Sequence, residues 1–503
     1  MMDNWGLILQ SLIVPSAMSP IALWLGRDLK HRTGWIVFAA MMYPTIIYGY
    51  VSIGVYLGLL GEGLTAVYPW TPLLDRFTLL ADGFSSPIAF LISLLSALIA
   101  LYSINYMEDS ENLNSYYALY LLYAVGMVGT VVSTNLVAFF LFFELMLIPS
   151  WALIAVWGTG RKEAIAFKYF MYTEAGALSL LAGVLLTKYA SGTFEIFQVA
   201  ERLKASPPSF ITLIVSLILL GLLVKMAIFP LHNWLPDAHA EAPTPISALL
   251  SPAMIGIGGY AAIRIMYTAF PTVMDDSRFT TVLLGLAVTT MFYGGLNALA
   301  QKDLKRLLAF SSISQMGYLL LGAASASTLG LTGAGLLYLS HGLAKAVLFM
   351  VSGVFMHSFH TRLIDDLGGL AGKMPYTATA TLIAFLSLAG VPPLLGFWGE
   401  IFMFAGSMKT ALTSILTPDM TRVWLTSLAV ISSIVTAGYG LWAFRRIFFG
   451  ELKPGLRIEG SEAPTLMLAP ILTLAFITVL LGIYPTAISQ AMSQLFSNLK
   501  IPP

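Results

Sequence analysis

Cysteine is absent from the 503 residues, and charged side chains make up only 10% of them. Without thiolates the chain cannot hold an iron–sulfur cluster through cysteine, form a disulfide or use a redox thiol. So little charge, against about 25% in soluble domains, excludes an ordinary water-soluble composition. A net charge of +1 excludes an electrostatic grip on nucleic acid. No stretch is hydrophilic enough to form a soluble domain, and the longest polar runs, 188–208 and 450–463, read as loops. Residues 1–4 hold no basic n-region, so the first apolar segment is expected to stay as a helix and not to be removed as a signal peptide.

What is present is apolar: 58% of the residues are hydrophobic and the mean hydropathy is +0.83. Apolar runs of at least about 18 residues read as transmembrane helices. About fourteen such segments are centred near residues 14, 46, 94, 123, 145, 176, 219, 257, 289, 314, 343, 390, 436 and 476. The expected fold class is therefore an all-α polytopic membrane protein, since a β-barrel would show short alternating segments. Lys and Arg crowd the odd-numbered gaps, from Arg27, Lys30 and Arg32 through Arg161 and Lys162 to Arg445, Arg446 and Arg457; fewer, Lys500 among them, lie in the even gaps and at the C-terminus. That bias predicts a cytoplasmic membrane protein with the odd loops inside and both termini outside.

Two helices read as interrupted, one near 226–244 and one near 389–399, each by prolines. Proline removes a backbone donor and clashes with the preceding turn, so each site frees polar backbone groups near membrane depth. Such backbone is tolerated where protein covers it or where it lines a wet cavity, and paired breaks in two halves of a transporter point to its ion path. The layout suggests a three-helix region over 1–112, a first five-helix repeat over 113–272, a second over 273–450, and a loop with the last helix over 451–503.

Ionisable residues stand inside these apolar runs. Glu144 lies within 136–148, where a carboxylate costs roughly 2.5–3.5 kcal/mol on insertion scales, and Lys225, at the end of another apolar run, is its expected partner. The alternative for Lys225 is a lysine that snorkels from a helix end. His341 and Lys345 sit at i and i+4 on one helical face, and a histidine titrating near neutrality suits a proton relay. Glu400, just past the second break, reads either as the terminal acid of a proton path or as a cap where the helix restarts. Glu174 is as consistent with a structural pair as with proton feeding. His232 and His239 flank Asp237 in the first break, but their spacing matches no recognised metal site, so neither a metal nor a cofactor is expected in this chain.

The motifs carry a resemblance. The run Lys225-Met-Ala-Ile-Phe-Pro-Leu-His-Asn-Trp-Leu-Pro-Asp-Ala-His-Ala-Glu-Ala-Pro-Thr-Pro-Ile-Ser247 resembles the signature of the antiporter-like subunits of respiratory complex I, a family shared with multisubunit Na⁺/H⁺ antiporters and membrane-bound hydrogenases. Asp303-Leu-Lys-Arg-Leu-Leu-Ala-Phe-Ser-Ser-Ile-Ser314, His341-Gly-Leu-Ala-Lys-Ala346 and Gly390-Val-Pro-Pro-Leu-Leu-Gly-Phe397 also match, in order along nearly the whole chain. The resemblance implies about fourteen transmembrane helices in two inverted five-helix repeats, each with a broken helix. It also implies a polar axis that moves protons, driven by electron transfer in partner subunits. Carried across, Glu144 is the intramembrane acid, Lys225 its paired lysine, His341 and Lys345 the connecting groups and Glu400 the terminal acid. Two departures stand out: Gly256 where family members commonly have lysine, and Gln315 where they commonly have histidine. Ordered water or Ser251, Tyr260 and Gln315 are expected to bridge the thinned middle; the alternative is a chain that conducts poorly and couples mechanically.

The resemblance implies a multisubunit redox complex whose iron–sulfur clusters, with Ni–Fe where the partner is a hydrogenase, reside in other subunits. The transported ion is H⁺, with Na⁺ left open. The sequence over 250–260 turns the expectation toward an archaeal membrane-bound hydrogenase or sulfur-reducing relative. The alternatives are a quinone-linked or F(420)H(2) dehydrogenase complex I and a redox-independent Na⁺/H⁺ antiporter. A bare scaffold would have no reason to bear the insertion cost of these charges.

Overall fold

Long apolar runs without water to bond their backbones must close their own hydrogen bonds, and here they do so as helices. The computed structural model describes residues 6–413, 418–453, 462–499 and 501. Residues 1–4, Arg457, Lys500 and most of the 450–463 loop, all used above, lie outside the described residues. In chain order the helices are α1 (Leu7–Leu29), α2 (Thr33–Tyr56), α3 (Ser85–Tyr106), α4 (Leu113–Val132), α5 (Leu136–Leu145), α6 (Leu147–Trp157), α7 (Lys162–Ser191), α8 (Ile196–Arg202), α9 (Pro208–Lys225) and α10 (Leu235–Glu241). They continue as α11 (Thr244–Leu249), α12 (Ile255–Ala269), α13 (Pro271–Met274), α14 (Ser277–Leu299), α15 (Leu304–Ala324), α16 (Thr328–Phe359), α17 (Pro375–Leu388), α18 (Leu395–Ala411), α19 (Met420–Phe448), α20 (Thr465–Ile483) and α21 (Thr486–Asn498). Among the described residues 12 helical stretches are long and apolar enough to cross a membrane. Thirteen of the expected centres fall inside helices, and the remaining one, residue 390, falls in the second break.

α12, α15 and α16 run through the middle with their most apolar stretches fully buried, while α7, α19 and α20 bury fewer than half of the residues in theirs. Alternate gaps share a face of the bundle. On one face Trp157 donates to Glu111 O and Thr159 N to Glu241 O. On the other, Asn135 donates to Leu74 O and Arg76 O, and Lys188 bonds Asp75. That second face carries a feature the all-α expectation omitted. Strands β1 (Gly63–Pro69) and β2 (Arg76–Asp82) form an antiparallel hairpin, Gly63 opposite Asp82 and Pro69 opposite Arg76.

The breaks follow from local chemistry. α9 stops at Lys225, Ala227 takes φ +54, and Pro230 has no N–H with which to continue the ladder. Trp234 Nε1 donates to Val224 O at 3.1 Å, a carbonyl at the end of α9 that also accepts Ala227 N–H at 3.0 Å. Between α11 and α12 a π-type turn spans Leu250–Met254, where Pro252 cannot donate to the turn before it. α17 ends at Leu388 and α18 restarts at Leu395 after Pro392 and Pro393. Gly390 there has φ +65, and a Cβ on it would lie 2.5 Å from Glu400 Oε2, so this glycine both makes the turn and admits the carboxylate.

Candidate proton-pathway site

Glu144 is placed by the end of α5, where Pro149 in α6 removes the donor that would bond Leu145 O and the ladder breaks at Met146. Lys225, buried, is the last residue of α9. Its ammonium lies 4.8 Å from the centroid of the Phe143 ring, next to Glu144 in the chain. Glu144 and Glu174 both act electrostatically on Lys225. No direct ion pair joins them among the described residues, and Lys225 Nζ and Glu144 Oε1 have no hydrogen-bond partner in the protein. The expected partnership is thus one of neighbourhood and not of contact.

The first break gathers histidines and cations without forming a ligand set. His232 stacks on Phe229, 5.6 Å between centroids, and meets the Tyr293 ring edge-on at 4.5 Å, while Phe229 and Tyr293 also touch each other. Asp237 is clamped by Lys168 at 2.8 Å and Arg306 at 3.1 Å. Burial works against charge on Asp237, but the two cations outweigh it and hold its carboxyl below the usual range. His239 is fully buried on the Phe349 ring, 4.8 Å between centroids, with both ring nitrogens unpartnered. Among the described residues no group of three His, Cys, Asp or Glu could hold a metal.

In the middle, Ser251 Oγ meets Ser312 Oγ at 2.6 Å, linking the π-type turn to α15. Tyr260 points elsewhere: its hydroxyl donates to Val131 O at 2.6 Å and accepts from Arg264, which pairs with Asp82 at 2.6 Å. The structure therefore brings Tyr260 into an ion-paired cluster with Arg264 and the hairpin end, not to the lysines.

In the second half Lys345, fully buried, donates to Leu308 O at 3.0 Å and to Ser311 Oγ. His341 lies one turn away with Nε2 unpartnered. Gln315 Nε2 reaches Leu388 O at 3.4 Å, at the lip of the second break, and leaves its Oε1 free. Glu400 is buried against Gly390 with Oε1 unpartnered, and its charge acts on Tyr318 and Tyr439.

Some polar groups in this interior escaped the sequence reading. Lys305 is buried in α15 and donates to Ala242 O at 2.6 Å, at the cap that follows α10. Arg264 was overlooked although it stands in an apolar run, the same signal that marked Glu144. Tyr439, with a buried and unpartnered hydroxyl, gave no signal, because one tyrosine in an apolar helix looks like any other.

A helical bundle of membrane-spanning length, broken by prolines in two places beside ionisable side chains with unpartnered atoms, defines a polytopic membrane protein with an ionisable interior. Residues 133–426 match the family described as "NADH:quinone oxidoreductase/Mrp antiporter, TM", and residues 73–117 match "NADH-Ubiquinone oxidoreductase (complex I), chain 5 N-terminus". The chain belongs to this family of antiporter-like membrane subunits. It is 34% identical over 429 residues to NAD(P)H-quinone oxidoreductase chain 4 1 of Synechococcus sp. (strain JA-3-3Ab), covering 84% of this chain and 79% of that one. It is 32% identical over 368 residues to F(420)H(2) dehydrogenase subunit M of Methanosarcina mazei, covering 72% of each. Its fold superposes on a chain of the Mrp complex from Dietzia sp. DQ12-45-1b with a TM-score of 0.85 at 25% identity, covering 99% of this chain and 98% of that one.

Proposed function

We propose that this chain is the proton-translocating membrane subunit of a complex I-related, electron-transfer-driven ion pump. The observation that carries the reading is a series of interior ionisable groups with buried polar atoms that no hydrogen bond satisfies: Glu144 Oε1, Lys225 Nζ, both ring nitrogens of His239, His341 Nε2 and Glu400 Oε1, with Lys345 beside them on neutral acceptors. A structural core pairs such groups or excludes them. Here they are spaced through the interior and flank both helix breaks, where backbone polarity lets water approach. A proton on Lys225 and a negative charge on Glu144 favour each other across the apolar site. Neutralising Glu144 leaves the ammonium alone against Phe143 and drives its proton onward toward His341, Lys345 and finally Glu400.

The chain has no cysteine, so electron carriers of the iron–sulfur kind belong to partner subunits. The names of the relatives above favour a quinone-linked or F(420)H(2)-type enzyme over the hydrogenase or sulfur-reducing assembly to which the Gly256 region points. The likeness to the Mrp complex supports the second reading, a redox-independent cation/H⁺ antiporter. In either setting the odd-numbered loops face the cytoplasm and both termini face outward.

The test has two arms. Mass spectrometry of the assembly purified in mild detergent should find redox subunits; small antiporter subunits alone would move the reading to the second. In vesicles holding the intact assembly, Lys225→Ala should abolish coupled proton translocation, and unchanged translocation would overturn the proton-pathway reading.

A further inference from the structure

Between the two charged halves the interior holds tyrosines. Tyr123 on α4, Tyr169 on α7 and Tyr338 on α16 are buried; Tyr169 and Tyr338 both act electrostatically on the Tyr123 hydroxyl, and Tyr123 in turn acts on Tyr120, one turn back on α4. That hydroxyl has no hydrogen-bond partner in the protein. A buried hydroxyl left unpaired costs about 1–3 kcal/mol, and phenylalanine would fill the same space without that cost. Its retention asks for a use.

Both neighbours lead on to the charged groups. The Tyr169 hydroxyl lies 2.8 Å from Ser150 Oγ and 3.5 Å from Met254 Sδ, and Glu144 acts on it. Its ring lies 5.2 Å from that of Trp234, which donates to Val224 O beside Lys225. On the other side, the Tyr338 ring occupies the space of a side chain at Gly256, where a Cβ would come within 2.4 Å of Tyr338 Cε2. The Tyr338 hydroxyl donates to Ala253 O at 2.8 Å, a carbonyl of the π-type turn. His341 follows three residues further along α16 and Lys345 seven further, so the three side chains share one helical face.

We infer that Tyr169, Tyr123 and Tyr338, joined by water, form a hydroxyl bridge that passes protons between the Lys225 half and the His341–Lys345 half. The inference rests on the proton-pathway reading and supplies its middle. A phenol donates and accepts at once. At each hop one O–H bond breaks and the next oxygen, of tyrosine or water, gains one, so each tyrosine ends neutral. No charged side chain has to reside in the apolar mid-section, where an isolated ion is costly.

The test uses the intact assembly in vesicles, driven by its own reaction and read by an entrapped pH-sensitive dye. Tyr123→Phe should lower proton translocation about tenfold or more, with thermal stability equal to or above that of the unaltered protein. Tyr338→Phe should produce the same loss. If Lys225→Ala abolishes translocation while both phenylalanine variants retain it, the bridge is overturned and the pathway reading stands. If Lys225→Ala also leaves translocation intact, both are overturned.

Discussion

Arg264 and Lys225 are both cations buried in the helical bundle, with opposite surroundings. Arg264 bonds Asp82 at 2.6 Å and the Tyr260 hydroxyl at 3.3 Å, and its guanidinium also faces the Phe84 and Tyr260 rings. Lys225 has one aromatic ring and no hydrogen bond. A buried charge can be kept by saturating it or by letting it come and go with a proton. Saturation holds α12 to the end of the hairpin; on the proposed pathway, the absence of saturation is what lets Lys225 exchange its proton. Arginine suits the first task because it stays protonated and its fork fits a carboxylate, and lysine suits the second because its single ammonium readily gives up a proton.

The largest effects come from breaking the contrast at its two poles. Arg264→Met leaves Asp82 buried without its cation and should destabilise the protein by about 3–5 kcal/mol, read as a lowered thermal midpoint or loss of the assembled complex. Replacing both partners, Arg264→Met with Asp82→Leu, should recover most of that stability, because two apolar side chains leave no orphaned charge. Lys225→Met should do the reverse: translocation lost, thermal midpoint unchanged or higher. A Lys225→Met protein as unstable as Arg264→Met would remove the distinction between the two cations.

The lysine pole of this contrast was legible in the sequence and the arginine pole went unread, and the reasons are physical. Glu144, Lys225, Lys345 and Glu400 are visible because a charge in or beside an apolar run is costly and stands out, even where a snorkelling lysine or a helix cap offers a bland alternative. The breaks are visible because proline cannot finish a helix. The hairpin was missed because strands of seven residues, set between long apolar helices, give a weak alternating signal. Lys305 carries no signal of burial, because the sequence does not reveal that α15 begins at Leu304 under the Asp303 cap and carries the lysine inward. The Ser251–Ser312 contact and the placement of Tyr260 depend on which helices cross, and single-sequence periodicity carries no such information.

A middle case sharpens the comparison. Arg422 is buried at the start of α19, but its carboxylate, Asp419, is 3.8 Å away. The guanidinium leans on neutral acceptors: Thr281 Oγ1 at 3.0 Å, Thr280 Oγ1, and Ala324 O at 3.5 Å. Arg422→Met should therefore cost about 1–3 kcal/mol, less than Arg264→Met, in the same thermal measurement, and should leave translocation unchanged. A loss equal to that of Arg264→Met would mean that burial, and not the paired carboxylate, sets the scale.

The smallest effect belongs to the exposed end of the series. Asp75, in the hairpin loop, meets Lys188 at 2.6 Å with both side chains 25% exposed, and it accepts Phe194 N–H at 2.6 Å. Burial works against its charge, yet Lys188 and the Phe194 amide outweigh it and hold the Asp75 carboxyl below its ordinary value of 3.8. A carboxyl whose folded value is depressed adds stability above its unfolded value, and that stability is lost as pH falls through the folded one. The contribution should thus be complete near neutrality and fade below about pH 4. Solvent screening at this exposure limits it to at most about 1 kcal/mol. Asp75→Asn should lower the thermal midpoint slightly at pH 7 and converge with the unaltered protein toward pH 3. Equal offsets at both pH values would show that the loop geometry, with φ +64 at Asp75, matters there and the charge does not. The ranking from Arg264 through Arg422 to Asp75 would then follow backbone confinement instead of the saturation of buried charge.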